Sequence, residues 1–139
     1  MIYSTAILKQ VVQQAEGVIF DKDEIRTRSS RCPYKGWMDR TEDTQNFVLT
    51  KPGIYAIIYT ADITAETETQ VTLELQMDGK SIAGSRSTYF VSESAQFGNV
   101  SGNVRICVEP CDKVNIELVN PIDTPTTVEN VSIVIEKVA

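Results

Sequence analysis

The 139 residues contain no histidine. That excludes Ser-His-Asp and Cys-His nucleophilic machinery, every histidine-bearing zinc site, and the general base most often used near neutral pH. Cysteine is scarce and odd in number: Cys32, Cys107 and Cys111. An odd count in a chain large enough to fold without staples is no disulfide framework, and without Cys-x-x-Cys pairs there is no zinc knuckle. Cys107 and Cys111 bracket Val108-Glu109-Pro110, and both readings of them stay open, a bridge across a turn or two reduced thiols. No apolar run approaches the roughly 20 residues that cross a bilayer as a helix. Met1-Ile2-Tyr3-Ser4-Thr5 lacks the basic-then-apolar layout of a signal peptide, so any export is expected by another route, such as release in a virus particle. Repeats, low-complexity tracts and Gly/Ser linkers are missing too, and residues 1 to 139 read as one domain.

Leucine and alanine are also few, 5 and 8 residues, against 15 valines, 14 isoleucines and 14 threonines. Branching at Cβ stiffens the side chain, disfavours helix interiors and suits a pleated surface, so the chain reads as all-β. Thirteen basic and 19 acidic side chains leave a net charge of −6, which opposes non-specific binding to nucleic acid or anionic membrane. The only basic stretch lies between residues 26 and 40, where Arg26, Arg28, Arg31, Lys35 and Arg40 face Asp39 alone.

Alternation places the strands. In Gly53 to Ile63, Tyr55, Ile57, Tyr59, Ala61 and Ile63 share one face, while Ile54, Ala56 and Ile58 make the other face apolar at its start. A strand apolar on both faces is central, or covered by another subunit. Val71 to Met77 alternates cleanly into Asp78-Gly79, a tight-turn pair, and predicts a partner strand from Lys80 to about Gly84. Val100 to Val108, Val114 to Leu118 and Val131 to Glu136 follow, with Gln45 to Leu49, Thr88 to Val91 and a piece around Gly17 to Phe20. At least eight short strands suit an antiparallel sandwich or barrel. Residues 1 to 16 fit a short helix about as well as a strand, and residues 27 to 44 read as a long loop.

Two clusters are candidate sites. Asp21, Asp23 and Glu24 could offer oxygens to calcium, but without the glycine and distal glutamate of a helix-loop-helix site they read as a solvated acidic turn. The basic loop interleaves Arg28 and Arg31 with Tyr34 and Trp37, the residue types most enriched at binding hot spots. These four are the candidate ligand-binding residues. The competing reading is a loop folded onto its own domain, with Trp37 as an anchor and the arginines paired with Glu42, Asp43 or another acid. No catalytic residue, cofactor or metal is assigned.

Several of these pieces, in this order, resemble the jelly-roll superfamily of tumour necrosis factor and the globular heads of complement q-type proteins. Phe47-Val48-Leu49 followed by Pro52-Gly53-Ile54-Tyr55-Ala56-Ile57-Ile58-Tyr59 resembles that family's turn, Gly-x-Tyr and apolar strand. Val71 to Met77 with Asp78-Gly79-Lys80 resembles its long hairpin, and Ile106-Cys107-Val108 before Cys111-Asp112-Lys113-Val114-Asn115-Ile116 its penultimate strand pair, with Cys111 in place of a glycine. Val131 to Ile135 would close the roll, and Gln10-Val11-Val12 with Gly17-Val18-Ile19-Phe20 would open it as in bacterial and phage members. The resemblance spans roughly residues 10 to 137, without the collagen-like stalk many members carry. It implies an antiparallel jelly roll of about 8 to 10 strands and a homotrimer, with Tyr55, Ile57, Tyr59, Ile133 and Ile135 as the expected contact residues. It also implies a non-enzymatic module, in a phage particle or on a bacterial or spore surface, that recognises a protein or glycan receptor. The alternatives are a monomeric carbohydrate-binding sandwich and a carboxylate-based sugar-active enzyme.

Overall fold

In the computed structural model, which describes residues 1–26 and 36–139, the β-branched segments form twelve strands and, among the described residues, no helix. They are β1 (Ile2–Ala6), β2 (Gln10–Val12), β3 (Lys22–Arg26), β4 (Met38–Asp39), β5 (Phe47–Leu49), β6 (Gly53–Thr64), β7 (Thr69–Met77), β8 (Lys80–Ser81), β9 (Ser87–Val91), β10 (Gly98–Val108), β11 (Val114–Val119) and β12 (Thr126–Lys137). The front sheet has the order β10-β6-β12-β1-β3, with β2 also on β12. The back sheet runs β4-β5-β11-β7-β8, with β9 also on β7. Every pairing is antiparallel, and the first strand lies against the last, Ile2 opposite Ile135.

The core lies between the sheets. Tyr55, Ile57, Tyr59 and Ile63 of β6, with Ile133 and Ile135 of β12, meet Phe47, Leu49, Leu73, Leu75, Ile116 and Leu118 of the back sheet. Both tyrosine hydroxyls find acceptors there. Tyr59 Oη donates to the Ser85 carbonyl at 2.6 Å and lies 3.2 Å from that of Leu73, and Tyr55 Oη donates to the Lys51 carbonyl at 2.7 Å. Burial pushes both phenols above their ordinary value, and the charge of Glu74 adds to the shift at Tyr59. Two glycines of β10 make room for tyrosine rings. A Cβ on Gly98 would run into the Tyr89 ring, and one on Gly102 into the Tyr59 ring.

Asp78 and Gly79 have φ of 51° and 81°, the turn their sequence requires, and Met77 pairs with Lys80. The partner strand is shorter than expected, ending at Ser81, because Ser85 is turned inward to bond Leu75 N, Leu75 O and Ile82 O. Two other expectations need correction. Residues 17 to 20 make only isolated bridges, Gly17 to Val119 and Phe20 to Thr44. Residues 22 to 26 are no acidic turn; they form edge strand β3, whose charges disguise it because an edge strand has little apolar alternation to show. The N-terminal ambiguity resolves to strand, since β1 and β2 fill the bonding edge of β12 that a helix would leave open.

Candidate functional site

The five residues expected at a subunit contact, Tyr55, Ile57, Tyr59, Ile133 and Ile135, are each 0% exposed and sit between the two sheets. They cannot form a docking surface without opening the sandwich. Period-two alternation explains the correction: β6 has two apolar faces, and the one with the larger side chains turns inward.

The other face of the front sheet is open. One register row crosses all five strands, Asn103 of β10, Ile58 of β6, Val134 of β12, Tyr3 of β1 and Ile25 of β3. Ile58 and Ile25 are each 45% exposed, while Val134 and Tyr3 are half-buried. Four neighbouring positions of this row are therefore apolar and in contact with water. On one side runs the row Arg105, Ala56 and Glu136, with Ile54 beyond it; on the other a hydroxyl row, Ser101, Thr60, Ser132 and Thr5. A groove of about 360 Å³ opens beside the stripe, between Tyr3, Thr5, Glu24, Asn130 and Ser132. Beyond the hydroxyl row the face turns polar. The Asp62 carboxylate accepts from Asn99 Nδ2 at 3.1 Å and from Asn130 Nδ2 at 3.3 Å, and Glu129 stands directly opposite it on β12.

Of the four candidate ligand residues, Arg28, Arg31 and Tyr34 lie outside the described residues. Trp37 is described, partly buried and packed against the core, its ring 5.4 Å from that of Tyr55. Its carbonyl accepts from Thr50 N at 2.9 Å. This geometry makes Trp37 an anchor for the segment after residue 35. Trp37→Ala is expected to cost about 2 kcal/mol, as lost aromatic packing does, and a lowered urea midpoint would show it. An unchanged midpoint would mean that the indole contributes little to the core.

The two feet of the basic segment are tied together. Arg26 Nη1 donates to the Arg40 carbonyl at 2.9 Å and Nη2 to that of Met38 at 3.3 Å. Arg40 itself is buried, an ion the sequence did not mark as internal. Its Nη2 donates to the Phe20 carbonyl at 2.7 Å and its Nη1 to Thr44 Oγ1 at 2.6 Å and to the Thr41 carbonyl. Its Nε lies 3.3 Å from Asp23 Oδ1, both side chains at 5% exposure or less, and the Phe47 ring centroid is 4.3 Å away. Burial pulls the guanidinium below its ordinary value, and Asp23 opposes that shift. The calcium reading of Asp21, Asp23 and Glu24 loses its central member, because Asp23 also accepts from Ser4 Oγ at 2.6 Å while Asp21 is exposed and Glu24 pairs with Lys22 at 3.5 Å. Cys107 and Cys111 are both free and exposed.

No family model matches the chain, and no curated relative matches it by sequence. Solved structures do match. The globular domain of a zebrafish complement 1qA protein superposes with a TM-score of 0.65 at 16% identity, covering 99% of this chain and 96% of that one. An Eiger TNF from S. frugiperda gives 0.67 at 9% identity, covering 99% and 91%, and murine APRIL gives 0.58 at 6% identity, covering 95% of each. The fold is a TNF-like jelly roll of the complement-head type.

Proposed function

We propose that the chain is a non-enzymatic binding and structural module that assembles as a homotrimer through the outer face of its front sheet. The observation that carries this reading is the water-exposed stripe of Tyr3, Ile25, Ile58 and Val134. Ile54 and Ile7, at 43% and 60% exposure, lie near it on β6 and on the link after β1. Fully burying one such aliphatic side chain is worth about 1.5–3 kcal/mol, so a surface that gathers several is stabilised when a partner covers it. The jelly rolls this sequence resembles supply the partner, two further copies of the chain.

The assembled head then displays its loops to a protein or glycan receptor, from a phage particle or a bacterial or spore surface. The basic segment between Arg26 and Trp37 supplies Arg28, Arg31 and Tyr34 for that contact, and Trp37 holds its root. Sedimentation equilibrium in the micromolar range is expected to give a mass that is a multiple of three 15.4 kDa chains. A monomer throughout that range would overturn the assembly and return the chain to a monomeric binding sandwich.

A further inference from the structure

The outer face of the back sheet is built unlike that of the front sheet. On β7, Val71, Leu73 and Leu75 lie in the core, so the alternate residues Gln70, Thr72, Glu74 and Gln76 face outward. Register sets the first three beside the returning strand as successive rungs: Gln70 opposite Phe90, Thr72 opposite Thr88, and Glu74 reached by Arg86 one rung further on. Rungs two residues apart are separated by about 7 Å, so the row runs about 14 Å from Phe90 to Arg86.

Two features separate this row from a plain wetted surface. Phe90 is 58% exposed, and among the described residues no other aromatic side chain is open to this extent. Thr72 and Glu74, although they point outward, are only 5% and 2% exposed. A carboxylate so covered needs partners, and it has them: Gln76 Nε2 donates to Glu74 Oε1 at 3.2 Å and Arg86 Nη2 to Oε2 at 3.3 Å. The Thr72 and Thr88 hydroxyls lie 2.9 Å apart, and the Arg86 side chain is 58% exposed. This polar floor is in place before any ligand arrives, which removes part of the ordering cost of binding.

We propose that this row binds a neutral oligosaccharide, with the Phe90 ring under the C–H face of one sugar and Glu74, Arg86 and Gln70 bonding hydroxyls of that sugar and its neighbour. The chemistry of the row selects this ligand. A sugar ring has an apolar face that an aromatic ring covers and a rim of hydroxyls that both donate and accept. Arg86 and the glutamine amides supply donors, while Glu74 and the threonine hydroxyls supply acceptors. One cation against one carboxylate leaves the row without net charge, so it offers an anionic glycan or a nucleic acid no attraction. A protein partner would call for an apolar centre, and Phe90 is the one large apolar side chain on these rungs. The site goes beyond the front-face assembly and the basic segment: it lies on the opposite sheet and is complete within one chain.

Amide chemical shifts followed by NMR during titration with neutral gluco-, manno-, galacto- and xylo-hexaoses test the proposal. At least one of these sugars is expected to move the Thr72, Glu74 and Thr88 amides, saturating at millimolar concentration or below. Phe90→Ala is expected to weaken that binding roughly fivefold, the worth of one aromatic face, and Phe90→Trp, which keeps a ring there, to preserve it. Glu74→Gln keeps the size of the side chain and loses the charged acceptor, so a several-fold loss is expected. Ile58→Asp should leave the affinity per chain unchanged, since Ile58 belongs to the other sheet. Binding that vanishes in Ile58→Asp would put the site on the front face and overturn the proposal. So would shifts confined to Trp37 and its neighbours, equal affinity before and after Phe90→Ala, tighter binding of a heparin hexasaccharide than of any neutral sugar, or no shift with any of the four.

Discussion

Arg40→Ala is expected to lower the stability of the fold by about 3–5 kcal/mol, as removal of one partner from a buried ion pair does. The side chain fills an internal position between the Phe20 carbonyl, the Thr41 and Thr44 carbonyls, Thr44 Oγ1, the Phe47 ring and Asp23. Alanine would leave those acceptors facing a void and Asp23 charged, 5% exposed, with Ser4 Oγ as its remaining side-chain partner. Orphaned buried carbonyls carry their own desolvation cost, which adds to that of the carboxylate. Urea unfolding followed by tryptophan fluorescence reads the change, and a loss under 1 kcal/mol would show that the pair is not internal. Adding Asp23→Leu to Arg40→Met removes both charges and should recover part of the loss, because the unpaired ion is gone while the carbonyls stay without a donor.

Ile58→Asp is expected to abolish the proposed homotrimer while leaving the subunit folded. Ile58 is 45% exposed in the isolated chain, so a carboxylate there stays hydrated and the melting temperature of the subunit moves little. In the assembly the same carboxylate would sit between Val134 and the other apolar members of the row, covered by a neighbour. Burying an unpaired charge costs several kcal/mol, on the order of a thousandfold in each dissociation constant. The mass should fall from a multiple of three chains to one lacking the three-fold contact. Phe90→Asp serves as the control: Phe90 is 58% exposed but belongs to β9 of the back sheet, and its replacement should leave the mass unchanged. Loss of assembly in both variants would place the contact elsewhere.

These two positions mark opposite limits of what the residues disclose. Ile58 was visible as part of the second apolar face of β6, since alternation separates Ile54, Ala56 and Ile58 from Tyr55, Ile57 and Tyr59 without any structure. The burial of Arg40 was not visible, because one arginine among several in a polar stretch carries no periodicity. That burial depends on the segment holding Phe20 and Asp23 converging with Thr44 from elsewhere in the chain.

The sequence by itself determined the all-β class, the long strands β6, β7, β10, β11 and β12, the Asp78-Gly79 turn and the order that matches a TNF-like roll. Those are local matters: β-branching, period-two alternation and turn residues act within a few positions. Tertiary structure alone decided which face of β6 lies inside, because alternation defines two faces but only the back sheet selects the one that packs. It also decided that Ile2 to Ala6 pairs with Val131 to Ile135 across nearly the whole chain, and that the charged run Lys22 to Arg26 is a strand. Edge strands and buried ions are specified by their neighbours in space, and the sequence of an edge carries charge where a core strand would carry its pattern.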